Sequence, residues 1–369
     1  MIYLDHGATS FPKPERVRRA VLRAIEDCGN PGRGGYEAAA LAERSVYHCR
    51  EAAGALFACR PEQVVMTGSC TQGLNIAIRS LFHRGDRVLI TGFEHNAVTR
   101  TLRGLGIQPV IAGKKLFDWE DTLTQWEKAL KTGVRGAVFT QVSNVFGYML
   151  PVGQMAQLLK KRGLPFVIDA AQSAGMMEVN FSKLGADYIA MPGHKGLLGP
   201  MGTGLLLCKG AAEPLLFGGT GSISREQTMP DFLPDALEAG TLNVPGIAGL
   251  GEGIRIVREE GPEIIGAREA EQARNAGIGL RKLGMRVFLG EHQSGTISFL
   301  PEGDCEELAG KLAQQGIALR AGLHCAPLAH SSAGTLKSGT LRASFGRNAD
   351  FAQTQALLQA VSKGTGRIS

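Results

Sequence analysis

The chain has 369 residues, more than one hydrophobic core usually holds, so two domains are expected. Apolar residues make up 44% and charged residues 20%, which is typical of a globular protein, and the net charge of +6 comes from basic residues scattered along the chain. No aromatic residues interleave with the basic cluster Arg16, Arg18, Arg19 and Arg23, and no apolar run is long enough to span a bilayer. The composition therefore favours neither a nucleic-acid-binding protein nor a membrane protein.

Seven cysteines are present, and none of them forms a Cys-x-x-Cys pair. An odd number without that spacing argues against both a disulfide framework and a zinc ribbon, and no metal site is predicted. Free thiols, together with a first segment that reads as a strand rather than a signal peptide, predict a reducing cytoplasm.

Strands and helices alternate along the first half of the chain. A short strand is expected near Tyr3, and apolar residues at helical spacing predict helices at 15–28 and 36–57. The predicted elements that follow are strand 64–66, helix 71–81, strand 88–90, a helix after His95, strand 137–139, helix 155–161, and strands 166–168, 188–190 and 204–207. Short apolar strands alternating with helices predict an α/β fold with a mostly parallel sheet flanked by helices.

The second half predicts a smaller α+β domain. A helix at 246–260 leads into it, strands are expected at 286–289, 295–300 and 318–320, and helices are expected at 304–315 and 350–361. We therefore expect a large domain of residues 15–250 and a small domain formed by residues 1–14 and 251–369.

Polar residues follow the apolar strands of the predicted parallel sheet. Ligands of such sheets bind at the carboxyl ends of the strands, so these residues are expected to share one site. They are Thr67-Gly68-Ser69, Glu94-His95, Ser143-Asn144, Asp169 and His194-Lys195.

Three of these groups suggest the chemistry of an aldehyde cofactor. A lysine such as Lys195 forms a Schiff base with an aldehyde when its surroundings keep the amine partly neutral. Asp169 could pair with the pyridine nitrogen of pyridoxal phosphate, which keeps the ring an electron sink. Ser69, Cys70 and Thr71 open a predicted helix, whose backbone N–H groups could bind the phosphate. Taken singly, the lysine also reads as a surface cation and the other residues as helix or turn caps.

Two residues in the second half add a nucleophile and an anion-binding group. Cys325 lies in a glycine- and proline-containing loop beside His324 and near Arg320, and cationic neighbours favour a reactive thiolate. Arg342 offers a planar fork for a substrate carboxylate, although a surface salt bridge is the alternative.

The order of these motifs resembles a known family. Thr-x-Gly after a strand, Glu-His, Ser-Asn, Asp-x-x-Gln and Gly-His-Lys resemble the class V aminotransferase group of fold-type I pyridoxal-phosphate enzymes. Within that group, Arg-x-Gly-x-His-Cys-Ala followed by Leu-Arg-Ala-Ser is similar to the cysteine desulfurases and selenocysteine lyases. The resemblance extends from Tyr3 to beyond Arg342.

The resemblance implies a role for each matching residue. Lys195 would be the Schiff-base lysine, Asp169 the partner of the pyridine nitrogen and Arg342 the ligand of the substrate carboxylate. His95 would stack on the cofactor ring, and Asn144 and Gln172 would contact its phenolic oxygen or the surroundings of that oxygen. Thr71 and His194 would bind the phosphate, together with Cys70 at the start of the predicted helix. Thr241 would reach the phosphate bound by the other subunit, which implies a homodimer.

The implied reaction converts L-cysteine to L-alanine and leaves a persulfide on Cys325, with a sulfur-acceptor protein as an expected partner. Alternatives are selenocysteine lyase or another β-elimination, transamination, and a non-enzymatic scaffold, which would not need Lys195. The chain departs from the family pattern at Pro192, where relatives carry a hydroxyl, and at Leu323, where a second histidine is common. The 17 positions from Cys325 to Arg342 resemble the branch with a short, little-mobile cysteine loop.

Overall fold

The computed structural model describes residues 1–32, 34–210 and 212–366. Its helices are α1 (Glu15–Asp27), α2 (Glu37–Phe57), α3 (Cys70–Leu81), α4 (Asn96–Gly104), α5 (Trp119–Ala129), α6 (Val152–Lys160), α7 (Phe181–Leu184), α8 (Val244–Glu260), α9 (Pro262–Lys282), α10 (Cys305–Gln314), α11 (Pro327–Ala333) and α12 (Phe351–Thr365). Its strands are β1 (Ile2–Tyr3), β2 (Val64–Thr67), β3 (Arg87–Ile90), β4 (Gln108–Ile111), β5 (Gly136–Thr140), β6 (Phe166–Asp169), β7 (Tyr188–Pro192), β8 (Gly204–Cys208), β9 (Arg286–Phe288), β10 (Thr296–Leu300), β11 (Ile317–Ala318), β12 (Arg320–Gly322) and β13 (Thr340–Ser344).

The largest sheet has seven strands in the order β2-β8-β7-β6-β5-β3-β4. Strands β7, β6, β5, β3 and β4 pair in parallel, whereas β8 is antiparallel to both of its neighbours. Parallel neighbours need a long crossover connection, usually a helix. The sequence predicts no long helix between strands 188–190 and 204–207, and the corresponding β7 and β8 run antiparallel. The predicted mostly parallel sheet flanked by helices is confirmed.

Both faces of this sheet are covered. In β6, Phe166 and Ile168 belong to one hydrophobic core, and Val167 belongs to the core on the opposite face. Successive residues of a strand point to opposite faces, so a strand covered on both sides reads as a continuous apolar run. This explains why β6 shows no alternation of apolar and polar residues, and why Asp169, at its carboxyl end, is buried.

The second sheet is antiparallel, in the order β12-β13-β10-β9, and shares a core with α9, α10 and α12. Strand β1 pairs in parallel with β11, which brings the amino-terminal segment to this part of the molecule. The single strand predicted at 318–320 is wrong. The chain there divides into β11 and β12 because each pairs with a different strand, β1 and β13 respectively.

Several elements carried too weak a sequence signal to be predicted. Strand β4 lies largely exposed at the sheet edge, and the face that α9 buries includes small residues such as Ala273, Ala276 and Gly277. No helix of the described ranges is long and apolar enough to cross a membrane. All seven cysteines lie in the described ranges and are free thiols there, and both the reducing compartment and the cytoplasmic location stay predictions.

Candidate active site

A cavity of about 260 Å³ opens at the carboxyl ends of the parallel strands. Thr67, Gly68, Glu94 and Ser143, which were also expected at this site, do not line it. Every residue to which the resemblance gives a role, except Thr241, does line it, so strand ends far apart in sequence converge. These residues are Cys70, Thr71, His95, Asn144, Asp169, Gln172, His194, Lys195, Cys325 and Arg342. The convergence arises because parallel strands present their carboxyl ends at one edge of the sheet.

An amine and a carboxylate lie in this cavity without forming an ion pair. Burial, reinforced by the Arg342 guanidinium, lowers the pKa of Lys195, which favours the neutral amine. Asp169 is 2% exposed, and its Oδ1 accepts hydrogen bonds from the Ala171 N–H at 2.9 Å and the Cys70 thiol at 3.5 Å. One cavity is therefore lined by both an amine whose neutral form is favoured and a buried carboxylate.

His95 is a neutral ring at the start of α4. Its Nδ1 accepts a hydrogen bond from the Ala97 N–H at 3.0 Å, so it caps the helix and leaves the ring proton on Nε2. Burial lowers the pKa of His95, although the charge of Asp169 opposes the shift. A neutral, fixed ring beside Asp169 suits the stacking role that the resemblance implies.

The amino terminus of α3 provides an anion cup. Ser69 caps the helix by accepting from the Gln72 N–H at 3.2 Å, and Thr71 is exposed to the cavity. His194 borders the same space, and its buried Nδ1 has no hydrogen-bond partner in the described part of the chain. Burial lowers the pKa of His194 to about 4. First-turn N–H groups and an unsatisfied imidazole nitrogen are suited to bind a phosphate.

Cys325 is exposed at the mouth of the cavity, in a loop with an unusual backbone. His324 and Cys325 both adopt left-handed conformations, with φ of 48° and 57°. The side-chain amide of Asn144 donates to the His324 carbonyl at 2.7 Å, and the Asn96 N–H donates to the Cys325 carbonyl at 2.8 Å. Two successive non-glycine residues in this region cost about 1–3 kcal/mol each, so these bonds hold the thiol in place.

The prediction that His324 is a cationic neighbour of Cys325 is wrong. The ring is buried, its Nε2 bonds the Thr340 carbonyl at 3.1 Å, and burial lowers the pKa of His324 to about 2. The nearby Arg342 guanidinium adds to this shift. His324 is therefore a neutral anchor of the loop, and Arg320, the other predicted cation, lines the same cavity as Cys325.

Arg342, in β13, is buried and lines the same cavity. Its Nη1 donates to the Asn144 carbonyl at 3.0 Å, and its Nη2 donates to Oδ1 of Asp5 at 2.5 Å. The predicted surface alternative for Arg342 is wrong, since the side chain is only 2% exposed. Sequence reasoning missed Asp5, whose only signal was its place in the Tyr3-Leu4-Asp5 segment of the resemblance.

The two remaining predicted residues have different positions. Gln172 lines the cavity, and its amide donates to the Gly7 carbonyl at 2.9 Å. Thr241 is exposed and lines a separate cavity with Gly68 and Thr203. Its predicted contact with another subunit stays a prediction.

These features define a class of protein: an α/β enzyme fold with a buried lysine, a buried carboxylate and an anion cup at the carboxyl edge of a mostly parallel sheet. Residues 2–357 match the family model for aminotransferase class-V. Probable cysteine desulfurases from Methanothermobacter thermautotrophicus and Pyrococcus abyssi are each 31% identical to this chain. The matches cover 93% and 94% of this chain, respectively, and 89% of each relative.

Solved structures show the same likeness. A cysteine desulfurase from Thermococcus onnurineus has a TM-score of 0.90 and 29% identity, covering 99% of this chain and 94% of that one. The cysteine desulfurase CsdA from Escherichia coli has a TM-score of 0.87 and 26% identity, with the same coverage. The chain belongs to the aminotransferase class-V family, in its cysteine desulfurase group, and the resemblance noted in the sequence is confirmed.

Proposed function

We propose that this chain is a pyridoxal-phosphate-dependent cysteine desulfurase. It would convert L-cysteine to L-alanine and retain the sulfur as a persulfide on Cys325. The observation that carries the proposal is that the Cys325 thiol, the Lys195 amine and the Arg342 guanidinium line one cavity. A transaminase needs the amine but has no use for the thiol.

The residues of the cavity fit the cofactor. Lys195 would hold its aldehyde carbon, Asp169 its ring nitrogen, and the α3 amino terminus with Thr71 its phosphate. The unpartnered Nδ1 of His194 supports this assignment, because a buried polar atom without a partner is costly unless a ligand satisfies it. Bound there, pyridoxal phosphate supplies a ring that accepts the charge left when the substrate loses its α-proton.

Substrate binding follows from Arg342. Its Nε is buried without a partner among the described residues, so an amino-acid carboxylate would satisfy a donor that is otherwise unpaired. The amine of Lys195 would then take the α-proton, because burial and Arg342 favour its neutral form.

Cys325 would receive the sulfur. Its sulfur attacks the substrate sulfur, the Cβ–S bond of the substrate breaks, and an S–S bond forms on Cys325. The electron pair of the broken bond remains on the substrate carbon, which takes up a proton to give alanine. Thiol plus cysteine thereby yields persulfide plus alanine, and the balance needs no external oxidant.

The test incubates the purified protein, loaded with pyridoxal phosphate, with L-cysteine and a reductant. Sulfide and alanine should form in equal amounts, and Cys325→Ala should abolish both while it retains the bound cofactor. Alanine formation that is undiminished in Cys325→Ala, or that depends on an added 2-oxo acid, would reject the proposal. A parallel assay with L-selenocysteine tests the selenocysteine lyase alternative by comparing its rate of alanine formation with that from L-cysteine.

The assembly is part of the proposal. We infer a homodimer in which Thr241 reaches the phosphate of the partner, since Thr241 is exposed outside its own chain's Lys195 cavity. Leu216 and Phe217, in the segment before it, are 58% and 80% exposed, and adjacent large apolar side chains in contact with solvent favour a protein contact.

We also infer a large domain of residues 15–250 and a small domain of residues 1–14 and 251–369. The two sheets and the pairing of β1 with β11 support this division. The boundary at 250 falls within α8, which continues to Glu260.

A further inference from the structure

Arg342 has its ionic partner near the opposite end of the chain. Asp5 accepts from its Nη2 at 2.5 Å, and the two residues are 337 positions apart in sequence. The side chain of Arg342 is 2% exposed and that of Asp5 is 20% exposed. A guanidinium so far from solvent needs a compensating charge, and Asp5 supplies it.

The backbone near Asp5 is fixed against the strand that carries Arg342. The Gly7 N–H donates to Oγ of Ser344 at 2.7 Å, and the His6 N–H donates to the Ser344 carbonyl at 3.3 Å. A Cβ at Gly7 would lie 3.3 Å from Cζ of Arg342, so the main chain passes directly beside the guanidinium. Asp5 therefore acts on Arg342 from a rigid support.

The remaining geometry of the fork follows from these contacts. Because the guanidinium is planar, fixing Nη2 on Asp5 and Nη1 on the Asn144 carbonyl also fixes the direction of the Nε–H bond. That Nε is the buried donor without a partner within the described chain. The charges of the two residues also reach Lys195, where Arg342 lowers the pKa of the amine and Asp5 raises it.

We propose that Asp5 is a positioning residue: it orients the guanidinium of Arg342 to receive the α-carboxylate of the amino-acid substrate. The inference rests on the proposed function only through the role of Arg342. It does not depend on the fate of the sulfur, because any L-amino acid presents the same carboxylate.

The test measures ligand binding to the full-length, cofactor-loaded protein by the visible absorbance of the cofactor. L-alanine, which has no sulfur, is compared with ethylamine, which lacks the carboxylate. In Asp5→Ala, the affinity for L-alanine should fall roughly tenfold, as for a weakened charge-assisted contact, whereas that for ethylamine should change less than about twofold. Asp5→Asn retains an oxygen acceptor and should lose less than about threefold.

A double-mutant cycle shows whether Asp5 acts through Arg342. In the Arg342→Ala background, Asp5→Ala should cause no further loss of L-alanine affinity. The inference would be overturned if Asp5→Ala weakened the binding of L-alanine and ethylamine equally, or if it weakened L-alanine binding as much in the Arg342→Ala background as in the wild type. Tighter L-alanine binding in Asp5→Ala would also overturn it. Should Asp5→Ala not fold, Asp5→Asn and Asp5→Ser provide the comparison. A protein that binds L-alanine as expected but releases no sulfur would contradict only the desulfurase function.

Discussion

Helix α8 packs closely against the segment that follows Lys195, and the contact depends on Gly253. A Cβ at Gly253 would lie 2.2 Å from the Leu197 carbonyl oxygen and 3.1 Å from the Gly199 nitrogen. Both atoms belong to the backbone, so no side chain can rotate away. Gly253→Ala should therefore displace residues 197–199 and, with them, the lysine.

The size of the effect follows from a matched glycine. Gly310 in α10 has no atom within 4 Å of its built Cβ, so Gly310→Ala should stabilise the protein by about 0.5–1 kcal/mol through helix propensity alone. Gly253→Ala gains the same propensity but adds an overpacking cost of about 1–3 kcal/mol. The free energies of unfolding of the two variants should differ by about 1–3 kcal/mol, with Gly253→Ala the less stable.

The assay is urea denaturation of both variants, together with the rate at which each releases bound pyridoxal phosphate. Under the proposed function, Gly253→Ala should release the cofactor faster than Gly310→Ala, because the displaced residues 197–199 closely follow Lys195, the lysine that would hold it. If both substitutions stabilised the protein equally, the close packing of α8 on this segment would be refuted.

Three further predictions concern charge, pH and assembly. Asp169→Asn should retain the cofactor but lower the rate of alanine formation about 10²–10³-fold, measured at saturating cysteine; an unchanged rate would exclude a role for this charge. Burial lowers the pKa of His330 to about 4, so stability present above pH 6.5 should be lost as the pH falls toward 4. The free energy of unfolding should be measured by denaturation between pH 4 and 6.5. In His330→Asn its loss with falling pH should be smaller by up to about 1.4 kcal/mol per pH unit, whereas in the exposed control His48→Asn the loss should be unchanged. Mixing Lys195→Ala with Thr241→Ala subunits should restore cofactor-dependent activity, because one site per mixed dimer would be intact; no recovery after confirmed subunit exchange would contradict the predicted intersubunit contact.

The elements with strong periodicity or continuous apolar runs were predictable. Strand β6 and helices α1 and α2 lie within a residue or two of their predicted bounds because their apolar spacing survives in any fold. Helix α9 was not predicted, since its buried residues include Ala276 and Gly277, which carry little apolar signal. The strand at 318–320 was wrong because pairing partners, not local residues, divide it.

The sequence by itself determined the α/β class and the chemistry available at the strand ends. Lys195, Asp169 and Cys325 could be selected because each follows a strand or occupies a motif whose residues are neighbours in the chain. Only the tertiary structure decided which of the buried ionisable side chains remain charged. It pairs Arg342 with Asp5 and makes His324 a neutral anchor, since the free energy of a buried charge depends on partners that folding brings together from opposite ends of the chain.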